Sequence, residues 1–163
     1  MKYLYLIRHA KSSWAHPHLS DRDRPLNKRG DRDAPKMAEH LFGLITTPDV
    51  FVCSPSKRTN QTAEYFLKVF SVPREQMIQE EELYHAGIKN FVNVISHLND
   101  YWSSAVLFSH NPGITDFVNR LVEIEIENIP TCGLAGISIE IDTWKGFNGL
   151  GGKLDFYHYP KGI

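Results

Sequence analysis

Short apolar runs alternate along the chain with segments in which apolar residues recur every three or four positions. Lys2–Ile7 (KYLYLI), Asp49–Cys53 (DVFVC) and Ser104–Phe108 (SAVLF) are brief and lack the two-residue alternation of a half-exposed strand, which predicts strands covered on both faces. Ala34, Met37, Ala38, Leu41 and Ile45 make one helical stripe behind a candidate N-cap at Asn27. Pro35 falls inside that stripe and has no amide hydrogen, so a kink or a late helix start is expected there. A second stripe, Ala63, Phe66, Leu67 and Phe70, predicts a helix beginning near Ser56. Phe91–Leu98 and Pro112–Val122 predict two more, the last with Pro112 in its first turn. Gly136–Asp142 and Lys153–Tyr159 alternate at period two around the glycine-rich GFNGLGG and predict a terminal hairpin. With no repeat or linker dividing the chain, the expectation is a single domain over residues 1–163, an α/β three-layer α/β/α sandwich with a mostly parallel central sheet.

Composition narrows the function classes. The chain is 42% hydrophobic and 23% charged, with a formal net charge of −1, so nothing global attracts it to nucleic acid or an anionic membrane. The N-terminus has no apolar leader-like stretch, and a cytoplasmic location is expected. Cys53 and Cys132 lie far apart, outside any CxxC or Cys/His cluster, and read as buried thiols. His16 and His18 flank Pro17 without a cysteine or carboxylate at ligand spacing, which makes a poor metal site. No metal or other cofactor is expected.

The polar residues carry the chemistry. Open α/β sheets bind ligands at the carboxyl ends of their strands. The first predicted strand runs into Arg8-His9, the second into Ser54-Pro55-Ser56-Lys57-Arg58, and the third into Ser109-His110-Asn111-Pro112. Each residue alone fits a bland role, a rim cation or a hydrogen-bonded structural histidine. Together they make a site for phosphate or another oxyanion, because guanidinium forks match its oxygens and the helix starts after Ser56 and Pro112 add backbone donors.

The segments LIRHAKSSW, RPLNKRG, CSPSKRTNQTAEYF, LYHAG and SHNPGITDFVNRL resemble, in order and spacing, the histidine phosphatase superfamily, and within it the small SixA-type phosphohistidine phosphatases. The resemblance implies a phosphoglycerate mutase-like fold and a metal-independent phosphatase with a covalent phosphohistidine intermediate. It makes His9 the nucleophile, Arg8 and Arg58 the phosphate clamp, and His110 the second pocket histidine. The implied substrate is phosphohistidine in a protein. The alternatives are a small-molecule phosphomonoesterase or mutase-like enzyme, and a noncatalytic phosphoprotein-binding module.

Two departures bear on substrate choice. The superfamily's Arg-His-Gly-Glu opening reads Arg8-His9-Ala10-Lys11 here, and the segment preceding the third strand is short. Glu82 is the candidate general acid, with a solvated acidic run as the other reading of Glu80-Glu81-Glu82. Lys11 and Ser12, with Asn111, are candidate phosphate contacts, although Lys11 and Ser12 equally suit a loop cap. The charges of Asp21-Arg22-Asp23-Arg24 are expected to pair locally. Trp14, Trp102 and Trp144 are expected to be packing residues, and His40, His85, His97 and His158 to have structural or surface roles, with the LYHAG segment around His85 bordering the site.

Overall fold

In the computed structural model, which describes residues 1–163, six strands form one sheet. They are β1 (Lys2–Arg8), β2 (Val50–Cys53), β3 (Ile78–Gln79), β4 (Ser104–Ser109), β5 (Leu134–Ile139) and β6 (Gly152–His158), in the spatial order β3-β2-β4-β1-β5-β6. The first four are mutually parallel; β5 runs antiparallel to β1, and β6 antiparallel to β5. The two-residue edge strand β3 was not legible in the pattern of apolar residues.

Alternate side chains of the central strands feed two cores. Leu4, Leu6, Val50, Val52, Ala105 and Leu107 pack against α3 (Ile88–Ser96) and α4 (Gly113–Val122). Tyr5, Ile7, Phe51, Cys53, Val106 and Phe108 face α1 (Lys28–Phe42) and α2 (Lys57–Val69) on the other side. That double coverage explains the unbroken apolar runs, since both faces of these strands are covered, Tyr3 near the start of β1 excepted.

The helices differ from expectation in informative ways. Asn27 caps α1 by accepting from the Gly30 amide at 2.9 Å, and the helix starts at Lys28 and runs through Pro35. The proline does not delay the start; it only deprives the Asp31 carbonyl of its usual donor. The helix ends at Phe42, so Ile45 packs on the same core from the turn beyond it. Helix α3 starts at Ile88 rather than Phe91, and Pro112 is the N-cap of α4 rather than part of its first turn. The terminal pair spans Leu134–Ile139 and Gly152–His158, and its connection contains a 3-10 turn, Trp144–Gly146. Trp144 is fully buried and Trp102 packs against the core, but Trp14 is 74% exposed, against expectation.

Two glycines let loops approach the strand ends. A Cβ on Gly30 would lie 2.2 Å from the Lys11 carbonyl, and one on Gly113 would lie 1.8 Å from the Ala86 carbonyl. The glycines of RPLNKRG and HNPG thus seat α1 against the segment after β1 and α4 against the LYHAG loop.

Candidate active site

The ends of β1, β2 and β4 deliver Arg8-His9, Ser54 and Ser109-His110 to one edge of the sheet, as their register requires: Arg8 pairs with Ser109, and Cys53 with Phe108. His9 and His110 are both buried, with ring centroids 5.3 Å apart. Arg58, in the first turn of α2, reaches His110 with Nη2 3.4 Å from Nδ1. The Ala10 amide donates to Thr62 Oγ1, whose hydroxyl donates to the Arg58 carbonyl, so the segment after His9 is tied directly to α2.

The tautomer of His9 follows from its partner. Nδ1 lies 2.7 Å from the Ala10 carbonyl, which can only accept, so Nδ1 carries the hydrogen and Nε2 keeps its lone pair. Burial pushes the His9 pKa down, the Ala10 hydrogen bond opposes the fall, and Arg58, Arg8 and Arg24 add to it, leaving it at about 3. The imidazole is therefore neutral at physiological pH. Burial likewise holds His110 well below the usual histidine range, with His9 and Arg58 adding to the effect. Its Nε2 meets Ser54 Oγ at 2.7 Å, which fixes the ring.

Arg8 donates Nη1 to the Ile129 carbonyl at 2.9 Å, while its Nε is the one buried side-chain nitrogen or oxygen in the protein without a hydrogen-bond partner. Burial, then Arg58, lowers its pKa, but a guanidinium stays charged. An unpaired buried N–H costs about 1–3 kcal/mol unless something accepts it. A phosphate oxygen is such an acceptor.

Arg58 is held by Asp21, which also makes the expected local pair with Arg24. Arg58 Nη1 donates to the Asp21 carbonyl at 2.6 Å and its Nη2 to Asp21 Oδ2 at 3.0 Å. The same carboxylate accepts from Tyr84 Oη at 2.6 Å and from Arg24 Nη1 at 3.0 Å. Burial works against ionisation of Asp21, yet Tyr84, Arg58 and Arg24 together hold it well below the usual carboxylate range. Arg22 pairs not with a neighbour but with Glu81, through both guanidinium amino groups at 2.6 and 2.8 Å. Arg24, buried, also donates to Ser12 Oγ and lies 3.3 Å beneath the exposed Trp14 ring. Tyr84 stands edge-on to His110 with ring centroids 5.4 Å apart and packs at a tilt against the exposed His85, centroids 4.1 Å apart, so LYHAG does border the site.

The remaining candidates are not drawn into the histidine pair by their side chains. Both carboxylate oxygens of Glu82 accept from Asn93 on α3, at 3.0 and 2.8 Å, and Glu82 lines a separate cleft with His97 and Trp102. Asn111 is a latch: its Nδ2 donates to Asn128 Oδ1 and to the Ile129 carbonyl, the group that anchors Arg8. The Ser12 hydroxyl is taken by Arg24, and Lys11 enters the architecture through its carbonyl, which accepts from the Asn27 amide at 3.0 Å.

With the geometry in hand, comparison with known proteins gives a consistent picture. A family model described as the histidine phosphatase superfamily (branch 1) matches residues 4–85. An uncharacterised chloroplastic protein of Arabidopsis thaliana is 30% identical over 159 residues, 91% of this chain and 72% of that protein. The structure of the protein histidine phosphatase SixA complexed with tungstate superposes with a TM-score of 0.82 at 22% identity, covering 98% of this chain and 97% of that one. A mycobacterial glucosyl-3-phosphoglycerate phosphatase complexed with VO3 does so with a TM-score of 0.75 at 13% identity, covering 98% and 100%. At these identities the two structures establish the shared fold.

Proposed function

Because the chain belongs to the histidine phosphatase superfamily, we propose that it is a phosphatase that works through a phosphohistidine on His9 and takes phosphohistidine in a protein as substrate. The observation that carries the mechanism is the Nδ1–H···O=C bond from His9 to Ala10, which leaves Nε2 as the nucleophile. Nε2 attacks phosphorus, the bond to the leaving group breaks in line, and the phosphoryl group rests on His9. Water then attacks the same phosphorus, inorganic phosphate leaves, and His9 Nε2 regains its lone pair. Arg8, Arg58 and His110 surround the phosphoryl oxygens as charge redistributes, so the guanidiniums supply the electrostatic stabilisation.

The acid–base inventory supports the substrate class. Glu82 is engaged by Asn93, and the Asp21 carboxyl is held ionised, which makes it a poor proton donor. A site so equipped suits a leaving group that departs readily. Imidazole is one, and transfer from a substrate histidine to His9 exchanges one N–P bond for another. A sugar alkoxide demands stronger protonation.

A small-molecule reading has one observation in its favour, the fold shared with the glucosyl-3-phosphoglycerate phosphatase. A panel of histidine-phosphorylated protein, free phosphohistidine, sugar phosphates and nucleotides, assayed for phosphate release, separates the two. Preference for the phosphoramidates by an order of magnitude or more is expected; preference for a sugar phosphate overturns the substrate assignment.

A further inference from the structure

We infer that the basic face formed by α1 and the turn after β6 docks an acidic surface of the phosphoprotein substrate; the inference rests on the phosphoprotein reading above. Arg29, Arg32 and Lys36 recur at helical spacing on α1, and with Lys161 they line a cleft of about 380 Å³ around Asp33. Asp33 is buried and accepts only from the Nε atoms of Arg29 and Arg32, both at 3.4 Å. The terminal amino groups of the two guanidiniums therefore remain for a partner, and their side chains are 42% and 73% exposed. Lys36 Nζ donates to the Pro160 carbonyl at 2.9 Å, which pins the turn Pro160–Gly162 and its Lys161 against the helix.

Position relates this face to catalysis. His158 pairs with Leu134, and Leu134 with Ile7, so β6 ends at the same sheet edge as Arg8-His9, two strands or about 10 Å across. The N-terminal end of α1 is itself seated on the Lys11 carbonyl beside that edge. In a chain of formal net charge −1, four cationic side chains around one acidic side chain stand out as a local positive field. Long, exposed cations of this kind do not form a tight pocket for a small anion. They steer and orient an acidic surface, acting mainly on association and weakening with salt.

The test uses the full chain with Arg32→Glu and Lys161→Glu, which leaves Arg29 as partner of Asp33. The probes are a strongly acidic protein phosphorylated on histidine and free phosphohistidine, at low and high ionic strength. The expected result is a fall of about tenfold in kcat/KM for the protein at low salt, carried by KM and vanishing at high salt, with free phosphohistidine unaffected. The second probe also reports that the variant is folded, and Arg32→Gln with Lys161→Gln should give a smaller loss of the same form. If the wild type hydrolyses both probes and the reversal leaves the protein substrate unchanged, the docking surface is wrong while the substrate reading stands. If the wild type releases phosphate from neither probe, the substrate reading fails and the docking inference falls with it.

Discussion

Asp21 and Arg58 are joined twice across 37 residues of sequence, carbonyl to Nη1 and carboxylate to Nη2. The pair fixes the guanidinium beside His110 while the carboxylate is itself steadied by Tyr84 and Arg24. Asp21 thereby positions the Arg58 guanidinium, the proposed phosphate clamp.

Asp21→Ala should lower kcat/KM about tenfold, about 1.4 kcal/mol of transition-state stabilisation, without unfolding the protein. Asp21→Asn keeps an oxygen that Arg58 can use and should recover part of that loss. Steady-state kinetics of the two variants, beside their melting curves, check the claim; equal losses in both would point to charge rather than orientation.

On the proposed mechanism Arg58→Ala removes a cation from the phosphoryl oxygens and His110→Ala removes the ring held by Ser54 and Arg58 beside His9, and each should lower kcat by about 10²–10³. Glu82→Gln should change it less than twofold, since that carboxylate is bound by Asn93. A large loss in Glu82→Gln would restore it as the acid.

The pH dependence follows from the direction of the histidine shifts. His9, His110 and His40 are all depressed, chiefly by burial. Below the unfolded value of about 6.5 the unfolded chain takes up protons that these folded sites refuse, so their contribution to stability is intact above that pH. It is lost progressively as pH falls toward the folded value, about 3 for His9. Denaturant midpoints should fall from pH 7 to pH 4. Over the same range, imidazole NMR signals of His9 should not titrate near 6.5.

Glycine substitutions should separate close approach from ordinary helix ends. Gly113→Ala sets a methyl against the Ala86 carbonyl at 1.8 Å and should cost roughly 2–4 kcal/mol, with lost activity because His110 lies three residues before it. Gly43→Ala, whose nearest contact is 3.5 Å and whose φ is −74°, should be neutral or stabilising by about 0.4–1 kcal/mol. Thermal melts distinguish the two.

The strands and the convergence of Arg8, His9, Arg58 and His110 were legible because apolar runs end abruptly in polar residues at the carboxyl edge of a parallel sheet. What was not legible depends on distant partners. Asp21 makes the local pair with Arg24 that its charge run suggests, yet it also holds the distant Arg58, and Arg22 pairs with Glu81 from another turn of the chain. Asn111 follows His110 directly and so suggests a phosphate contact, but its amide is spent on the loop at Asn128–Ile129. Trp14 suggested core by its size, whereas it lies exposed over Arg24. The edge strand β3 is two exposed residues long and carries no pattern to read.

The central claim is that His9 carries the phosphoryl group. Rapid mixing with phosphorus-labelled histidine-phosphorylated protein, a quench, and peptide mapping test it directly. Acid-labile, alkali-stable label on His9 is expected, absent in His9→Ala together with turnover. Phosphate release at the wild-type rate from His9→Ala, or label on another residue of the active wild type, would contradict it.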